Sequence, residues 1–570
     1  MIRMSASEAF VETLVAQGVT DVFGIVGSAY MEALDIFEPA GIRFWPVAHE
    51  QNAAHMADGY SRVSNRHGVC IGQNGPGITN FVTAIAAAFW AHSPVVAITP
   101  QAGSMGEGLG GFQETDQMPI FSKITKYQVE VKRFERIAEL THRAFTLAMA
   151  ERGPVQINIP RDYFYGETDY EIREPMVIER SSGGSAGLAA AARLLAEARF
   201  PVLMAGGGVV MGGGQREAVA LAELLGAPTI CSYLHNDAFP ASHELACGPI
   251  GYQGSKAAMR IVSQADVIVA LGTRLGPFGT LPQYGIEYWP DDARIIQVDA
   301  DHRTLGLVKP AEVVIHGDAG AVAAELTRRL QGIELVSATT RADRMARVRA
   351  EKEAWRRELD AISSSQDVPM APRAALRELE LAMPDNAMVT TDIGNICSVA
   401  NSYLSFERPN SMFAAMMFGN CGYAYPTAMG AKVAAPERPA IAYVGDGAWG
   451  MSLAEVMTCV RENIPVVACV FNNRQWGAEK RNQIDFYDDR YVGTMLENPS
   501  FAAIGRAMGA EGVLVEKPGE VGDALRSAVE SERPTVVEIQ VSQELGEPFR
   551  RDALQKPVRL LEKYAKYSTE

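Results

Sequence analysis

The chain has 570 residues, with 52 lysines and arginines against 68 aspartates and glutamates, which gives a formal net charge of −16 at pH 7. This length excludes a single small fold and predicts about three domains, and the acidic balance excludes an electrostatic footprint for nucleic acid or anionic lipid. With 47% hydrophobic and 21% charged residues, the chain is also not compositionally disordered.

The cysteines and the N-terminus indicate a cytoplasmic protein. None of the seven cysteines forms a C-x-x-C pair, which argues against a disulfide framework or a zinc site. Glu8 and Glu12 stand where a signal peptide needs an apolar stretch, and no run reaches the roughly 18 apolar residues of a spanning helix. We therefore expect neither a membrane nor a nucleic-acid partner.

Apolar strand-like runs alternate with helical ones from residue 1 to about 175, which predicts a first domain of parallel strands with crossover helices. The Gly/Ser-rich residues 180–187 read as a linker. A second alternating block, 186–335, predicts a central Rossmann-like domain. Its Gly206-Gly207-Gly208 run could cradle a phosphate, but such a run is more often a plain turn between a strand and a helix.

Residues 340–367 are dense in charge and predict a solvated linker helix. The strand and helix alternation resumes over 366–545, and residues 546–570 form a tail. The predicted fold class is therefore α/β, with three doubly wound open parallel-sheet domains. The first and third of these blocks could share a fold.

The chemistry-bearing residues of the third block follow two predicted strands. Residues 441–444 run into Gly445-Asp446-Gly447, and residues 466–471 run into Asn472-Asn473. The carboxyl ends of parallel strands line the ligand crevice, so the Asp and an Asn can converge there as hard oxygen ligands. Mg²⁺ prefers such ligands together with diphosphate oxygens, and glycine lets the backbone approach the diphosphate.

With these motifs the sequence resembles, over nearly its whole length, the thiamine-diphosphate-dependent enzymes of the acetohydroxyacid synthase and pyruvate oxidase superfamily. The resemblance implies thiamine diphosphate and Mg²⁺ as cofactors, and pyrimidine-binding, central and diphosphate-binding domains in that order. It implies that the metal ligands are Asp446, Asn473 and the backbone carbonyl of Gln475. The residues that it places on the cofactor are Asn80, Gly394, Asn395, Cys421, Gly445, Asp446, Gly447, Ala448 and Asn473.

Glu50 lies where a strand enters a helix, and by itself it reads as a first-turn acid favoured by the helix dipole. The resemblance instead implies the catalytic carboxylate, which hydrogen-bonds the aminopyrimidine ring of a cofactor held by the neighbouring subunit. Such a carboxylate can exchange a proton with a ring nitrogen. The functional unit would then be a homodimer or homotetramer with active sites between subunits.

The resemblance extends to the rest of the pocket. The segment 73–80 resembles the loop over the pyrimidine ring, and Phe112 and Gln113 match residues that line the reaction pocket. Cys421 stands where a bulky residue, often Met, wedges the cofactor into its bent shape. Either a neighbour such as Met417 assists Cys421, or the wedge is looser here. Ile396 is a departure, because relatives often have His at that position.

Several long segments point to one group within the superfamily. Residues 419–426, 473–487 and 548–559 resemble the sulfoacetaldehyde acetyltransferases, which implies conversion of sulfoacetaldehyde and phosphate to acetyl phosphate and sulfite. Two anionic substrates on a protein of net charge −16 require local cations. Arg474, Lys480 and Arg481 follow the metal-binding turn and are the candidates, although ordinary surface charge explains each of them equally well.

Other functions remain open from the sequence. An acetohydroxyacid-synthase-like carboligase would act on pyruvate and could carry a flavin in the central block. A pyruvate oxidase or a phosphate-dependent decarboxylase would also make acetyl phosphate. A non-catalytic protein on the same scaffold is a third alternative, against which the intact Glu50, Asp446 and Asn473 argue.

Overall fold

The computed structural model describes residues 1–333, 335, 338–544, 556 and 561–567, and it contains three six-stranded sheets. Every ladder within these three sheets is parallel. Helices connect the strands, as parallel pairing requires. The predicted α/β class with three doubly wound parallel sheets is confirmed.

The N-terminal sheet has the strand order β3-β2-β4-β5-β7-β6, and β1 and β8 form a separate antiparallel ribbon. The elements of this region are β1 (Ile2–Ser5), α1 (Ala6–Ala16), β2 (Asp21–Gly24), α2 (Met31–Phe37), β3 (Arg43–Pro46), α3 (Glu50–Ser64), β4 (Gly68–Ile71), α4 (Pro76–Thr79), α5 (Val82–Ala91), β5 (Val95–Gln101), α6 (Met118–Phe121), β6 (Tyr127–Glu130), α7 (Ile137–Ala150), β7 (Val155–Pro160) and β8 (Glu167–Tyr170).

The central sheet has the order β11-β10-β9-β12-β13-β14, which is the 3-2-1-4-5-6 order of a Rossmann fold. Its elements are α8 (Ser185–Ala196), β9 (Pro201–Ala205), α9 (Gly207–Gly212), α10 (Gln215–Leu225), β10 (Thr229–Cys231), β11 (Ala246–Pro249), α11 (Lys256–Val262), β12 (Val267–Leu271), α12 (Pro277–Thr280), β13 (Arg294–Asp299), β14 (Val313–His316), α13 (Ala319–Leu330) and α14 (Ala338–Ile362).

The C-terminal sheet has the order β16-β15-β17-β18-β20-β19. Its elements are α15 (Pro372–Ala382), β15 (Met388–Thr391), α16 (Asn395–Val399), β16 (Met412–Ala414), α17 (Ala424–Ala434), β17 (Ala440–Gly445), α18 (Asp446–Trp449), α19 (Glu455–Glu462), β18 (Val466–Asn472), α20 (Gly477–Tyr487), α21 (Phe501–Ala507), β19 (Glu511–Val515), α22 (Val521–Glu530) and β20 (Thr535–Gln540).

The first and third sheets share one topology. Counted along its own region, each sheet runs in the order 2-1-3-4-6-5. Their middle strands, such as β5 and β18, are buried at every residue. Strands covered by helices on both faces have nearly continuous apolar sequences. This is why these strands could be predicted from the sequence.

Helices α3 and α17 join the N-terminal and C-terminal sheets at backbone contact. A Cβ atom on Gly59 would overlap the carbonyl oxygen of Thr427, and one on Gly430 would overlap the carbonyl oxygen of Met56. Around this contact, side chains from both sheets form one apolar core, in which Phe23 of the N-terminal sheet is a member.

The charged segment after the central sheet forms the expected helix, α14. One side of this helix is buried, although a solvated helix was predicted. Val348, Trp355 and Leu359 are buried, and Lys256 and Arg260 pair with Glu358 across to α11. The helix is therefore packed against the central region. Its charges are evident in the sequence, whereas the narrow apolar stripe between them was not predicted.

The seven cysteines are free thiols, and six of them are buried. Among the residues that the structure describes, no helix combines the length and the apolar character needed to cross a bilayer.

Candidate active site

The turn after β17 places Asp446 between two strand ends. Asp446 begins α18 and is 4% exposed. One of its carboxylate oxygens, Oδ2, accepts hydrogen bonds from the Arg474 amide at 2.7 Å and from Asn498 Nδ2 at 2.8 Å. The other oxygen, Oδ1, accepts one from the Gly447 amide at 3.0 Å. Burial raises the pKa of this carboxyl to about 6.

The turn after β18 carries the residues that face Asp446. Asn473 and Gln475 are both buried, and Gln543 links them, because its Nε2 donates to the Asn473 carbonyl and its own carbonyl accepts from Gln475 Nε2, each at 3.2 Å. Arg474 between them has a φ of 56°, a left-handed conformation that costs a residue with a side chain of this size about 1 kcal/mol or more. That conformation brings the Arg474 amide onto Asp446.

The space beside these turns is suited to an anion. A Cβ atom on Gly394 or on Gly445 would meet no atom within 4 Å. Asn395 Nδ2 is buried and has no hydrogen-bond partner among the described residues. Buried amide donors of this kind normally have a partner, so this arrangement fits the oxygens of a bound phosphate group. On the other side, Trp476 packs so closely on Gly447 that a Cβ there would lie 2.7 Å from its ring.

These residues also fit a hard cation that is shared with a phosphate group. Within the described ranges, no group of three or more His, Cys, Asp or Glu side chains could hold a metal ion. A metal beside Asp446 would therefore be held by one carboxylate together with amide and carbonyl oxygens. This is a ligand set that Mg²⁺ accepts when phosphate oxygens complete it.

Asp392 is a buried carboxylate that the predicted contact residues did not include. It follows β15, is fully buried, and accepts hydrogen bonds from the amides of Gly422 at 3.1 Å and Ala424 at 3.0 Å. Burial raises the pKa of Asp392 to about 6. It therefore fixes the loop that carries Cys421.

Cys421 is half-buried in that loop. Burial, followed by the nearby Asp392 and Glu479 carboxylates, raises the pKa of the Cys421 thiol to about 12. The thiol is therefore protonated at neutral pH and acts as a small apolar group, not as a nucleophile. The expected help from Met417 concerns a side chain outside the described part of the structure.

Glu50 is the first residue of α3, and its Oε2 accepts a hydrogen bond from Asn80 Nδ2 at 2.9 Å. Two glycines leave room for it, since a Cβ on Gly77 would stand 3.0 Å from Glu50 Oε1 and one on Gly72 would stand 3.5 Å from Glu50 Cγ. The structure therefore brings Glu50 and Asn80 together at the carboxyl edge of the N-terminal sheet.

Gln113 reaches the same edge, whereas the side chain of Phe112 is exposed and no contact joins it to Glu50 or Asn80 among the described residues. The Gln113 carbonyl accepts a hydrogen bond from Asn74 Nδ2, and its Oε1 accepts one from Gln73 Nε2, both at 2.9 Å. Gln113 has a φ of 59°. The neighbouring Phe112 is 87% exposed, and in the same loop Leu109 is 79% exposed.

The three candidate cations differ in their partners. Arg481 Nε donates to Asp485 Oδ2 at 3.0 Å, so its charge is already balanced one helical turn away. Among the described residues, Lys480 Nζ donates to two neutral acceptors, Gln475 Oε1 at 2.9 Å and Gln543 Oε1 at 3.2 Å. Arg474 is exposed. Of the three, Lys480 is therefore the one whose charge lies next to the turn after β18 without a carboxylate partner among the described residues.

Most backbone amides of the Gly206-Gly207-Gly208 run already donate hydrogen bonds within the protein. The Gly206 and Gly208 amides donate to the carbonyls of Leu271 and Gly272, each at 2.9 Å. Two of the three amides are therefore committed to the neighbouring strand end, as the turn interpretation predicts. A cavity of about 940 Å³ lies at this edge of the central sheet.

Two polar residues in or next to the candidate site were not predicted from the sequence. Asn498 binds Asp446 from a loop with no motif, and nothing in the sequence indicated it. Glu455 is fully buried at the start of α19, yet an acid in the first turn of a helix normally signals exposure and a favourable dipole. Its partners lie on the other sheet and are far away in sequence.

Comparison with protein families gives three matches. A thiamine pyrophosphate enzyme N-terminal TPP binding domain matches residues 4–120, the corresponding central domain matches 188–326, and the C-terminal TPP binding domain matches 392–539. Thiamine pyrophosphate is the same compound as thiamine diphosphate. The three matches fall in turn on the three parallel sheets.

Individual relatives are similar over nearly the whole chain. A sulfoacetaldehyde acetyltransferase of Castellaniella defragrans is 61% identical over 99% of this chain and 98% of its own length. One of Alcaligenes xylosoxydans xylosoxydans is 60% identical over the same shares. An acetolactate synthase large subunit of Corynebacterium glutamicum is 33% identical over 95% of this chain and 87% of its own length.

Proposed function

The chain belongs to the thiamine pyrophosphate enzyme family, and we propose that it converts sulfoacetaldehyde and phosphate into acetyl phosphate and sulfite. The observation that carries the proposal is the 60–61% identity over 99% of the chain to relatives named sulfoacetaldehyde acetyltransferase. The acetolactate synthase named above reaches only 33%. This difference favours the acetyltransferase over the carboligase alternative.

The proposed reaction balances without an external oxidant. The aldehyde carbon of sulfoacetaldehyde loses its hydrogen as a proton and rises to the oxidation level of an acyl group. The carbon that bears the sulfonate gains a proton and becomes a methyl group as its C–S bond breaks. Sulfite leaves with the electron pair of that bond, and phosphate oxygen forms the new bond to the acyl carbon. Bound thiamine diphosphate supplies the nucleophilic carbon and the electron sink for these steps.

The chain's own residues would hold that cofactor at the C-terminal sheet. Asp446, the Asn473 side chain and the Gln475 carbonyl would bind Mg²⁺, and Asn395 would donate to a phosphate oxygen. The support is the burial of Asp446 together with the unpartnered Asn395 Nδ2. Gly394 and Gly445 would leave room for the diphosphate.

Glu50 would hold and move a proton at the aminopyrimidine ring, with Asn80 orienting its carboxylate. We propose that the ring belongs to a cofactor held by a second copy of the chain, so that the working unit is a homodimer or a homotetramer. Leu109 and Phe112 are exposed apolar side chains in the loop that carries Gln113. They support a partner at this end of the N-terminal sheet, because large apolar side chains at loop tips gain most from being covered.

Two anions must approach a protein of net charge −16. Lys480 would bind the sulfonate of the substrate or the attacking phosphate, because its ammonium group contacts neutral acceptors next to the metal-binding turn. Arg481 would serve its helix through Asp485. Of the three candidate cations, Lys480 is therefore the one proposed to bind a substrate anion.

The test is an assay of the purified protein with thiamine diphosphate, Mg²⁺ and phosphate. Sulfoacetaldehyde is offered in one reaction and pyruvate in another, and sulfite and acetyl phosphate are measured in both. We expect sulfite release that depends on phosphate and matches acetyl phosphate in amount. Consumption of pyruvate with no sulfite from sulfoacetaldehyde would favour the carboligase or oxidase alternative.

A further inference from the structure

Glu455 connects the C-terminal sheet to the start of α3. Its Oε1 accepts hydrogen bonds from the His49 amide at 3.1 Å and from Asn52 Nδ2 at 2.7 Å. The Ala48 amide lies within hydrogen-bonding distance of both oxygens, at 3.2 and 3.1 Å. On its own helix, Thr458 Oγ1 donates to Glu455 Oε2 at 2.6 Å. Three of its four donors therefore come from the other sheet.

This carboxylate has no exposed surface, and the donors that contact it in the described ranges are backbone amides, an Asn amide and a Thr hydroxyl, all of them neutral. A buried carboxylate is costly unless hydrogen bonds replace its water. Here neutral donors do so, and bonds to a charged acceptor are the stronger kind. The position of Glu455 and that of the backbone at residues 48–49 are therefore strongly coupled.

The donors 48, 49 and 52 surround Glu50 in sequence. Glu455 itself lies on α19, between Asp446 and Asn473, so the segment that forms the proposed metal site also holds the first turn of α3. We propose that Glu455 is a positioning residue for Glu50, which keeps the Glu50 carboxylate at the angle and depth needed for proton transfer. The proposal rests on the proposed function in that Glu50 is taken as the proton-transferring group.

Glu455 is not the main attachment between the two sheets. The glycine contact of α3 with α17 remains without it, and Arg62 Nη1 still donates to the Tyr423 hydroxyl at 2.7 Å. A variant at Glu455 should therefore keep α3 docked and loosen only its first turn. This separates a positioning role from a general role in stability.

The test compares Glu455→Gln with wild type by hydrogen exchange of the apo-protein and by steady-state kinetics. The neutral Gln side chain accepts at one oxygen only and lacks the negative charge of the carboxylate, which weakens its hydrogen bonds from the backbone amides of residues 48 and 49. We therefore expect these amides to exchange at least about tenfold faster. We expect kcat to fall about 10- to 100-fold through misplacement of Glu50. The substrate KM and the cofactor dissociation constant should stay within about threefold, since Glu455 contacts neither.

Glu462→Gln is the matched control. Glu462 ends the same helix and also reaches the N-terminal sheet, at Arg43, with an N–O distance of 3.5 Å, but it does not contact α3. The Glu462→Gln substitution should leave unchanged both the hydrogen exchange of the amides of residues 48 and 49 and the kcat. Thr458→Val is a milder second variant that removes one bond to Glu455 and should give a smaller fall in kcat in the same direction.

The outcomes separate this inference from the proposed function. Unchanged exchange at residues 48–49, or an unchanged kcat in Glu455→Gln, would overturn the positioning role even if wild type releases sulfite. An equal loss of kcat and of cofactor binding would also overturn it, because that pattern belongs to general unfolding. If wild type releases no sulfite, the proposed function fails, while the exchange measurement still tests the hold of Glu455 on α3.

Discussion

Two aspartates of the site are buried in the same way and serve different neighbours. Burial raises the pKa of both Asp392 and Asp446 to about 6, and backbone amides are the main donors to each. Asp392 holds the loop around Cys421 within its own sheet, whereas Asp446 has open space beside it at Gly445. Similar carboxylates at neighbouring strand ends can therefore support structure in one case and receive a ligand in the other.

The raised pKa of Asp392 makes a stability prediction. Because the folded pKa, about 6, lies above the ordinary value of 3.8, its contribution to stability is present at low pH and is lost as the pH rises through 6. The apo wild type should therefore lose stability relative to Asp392→Asn between pH 5.0 and 7.5, by about 1.4 kcal/mol. Thermal midpoints of both proteins at the two pH values test this, and a constant difference would contradict it.

The neighbouring cations Lys480 and Arg481 give a matched pair of variants. Lys480→Ala should raise the KM for sulfoacetaldehyde or phosphate about tenfold or more, since a charge-assisted contact to an anion is lost. Arg481→Ala should change both KM values by less than about twofold, because its ion pair with Asp485 lies on a helix surface. Steady-state kinetics of both variants, with the concentration of each substrate varied in turn, measure these KM values. A larger effect at Arg481 than at Lys480 would reverse the assignment.

At the scale of elements, the sequence predicted what short-range patterns determine. The strands before Asp446 and Asn473 are buried apolar runs, and strand ends of a parallel sheet meet at one edge. This was enough to predict that the two turns converge. Glu455 and Asn498 could not be found in this way, because their partners are set by how loops and sheets pack and not by local pattern. Likewise, the apolar stripe of α14 is too sparse to stand out among its charges.

The contact between α3 and α17 predicts an unusual response to alanine. In an isolated helix, replacing glycine by alanine adds roughly 1 kcal/mol of stability. At Gly59 and Gly430 the new methyl group would overlap backbone oxygens of the other helix, which cannot move aside as a side chain can. Gly59→Ala or Gly430→Ala should therefore lower stability by about 2 kcal/mol or more. Thermal unfolding at a fixed scan rate measures the effect.

Gly187→Ala is the control for that prediction. Gly187 also lies in a helix, α8, but a Cβ there would meet its nearest atoms at the ordinary distances of 3.4 and 3.5 Å. Its thermal midpoint should stay the same or rise slightly. If all three variants behaved alike, helix propensity and not the crossing of α3 and α17 would control the response.

At the scale of the whole molecule, the two halves of the proposed site lie on different sheets of one chain. Glu50 and its partner Asn80 are on the N-terminal sheet, and Asp446 is on the C-terminal one. In a two-fold symmetric dimer, the N-terminal sheet of each chain can face the C-terminal sheet of its partner, and the axis makes these two contacts equivalent. This symmetry would make two complete sites per dimer.

Mixed dimers test whether the site is shared between chains. Glu50→Gln and Asp446→Asn should each be inactive alone. If the two proteins are dissociated, mixed in equal amounts and reassembled, half of the dimers are mixed and each has one intact site, so about one quarter of wild-type activity should return. If Glu50 instead served the Asp446 site of its own chain, no mixture would regain activity. Measurement of the molar mass in solution confirms that reassembly has occurred.

The crossing of α3 with α17 also bears on the synthesis of the chain. Gly59 and Gly430 are separated by roughly 370 residues. At 5 to 20 residues per second, a ribosome needs roughly 20 to 75 s to go from one to the other. Throughout that interval the face of α3 that α17 will cover is bare, and the N-terminal third waits for a surface that has not yet been translated. We therefore expect the nascent chain to need a holding chaperone, and to be more sensitive to slow translation of its middle third, which lies wholly within that interval, than of its last third.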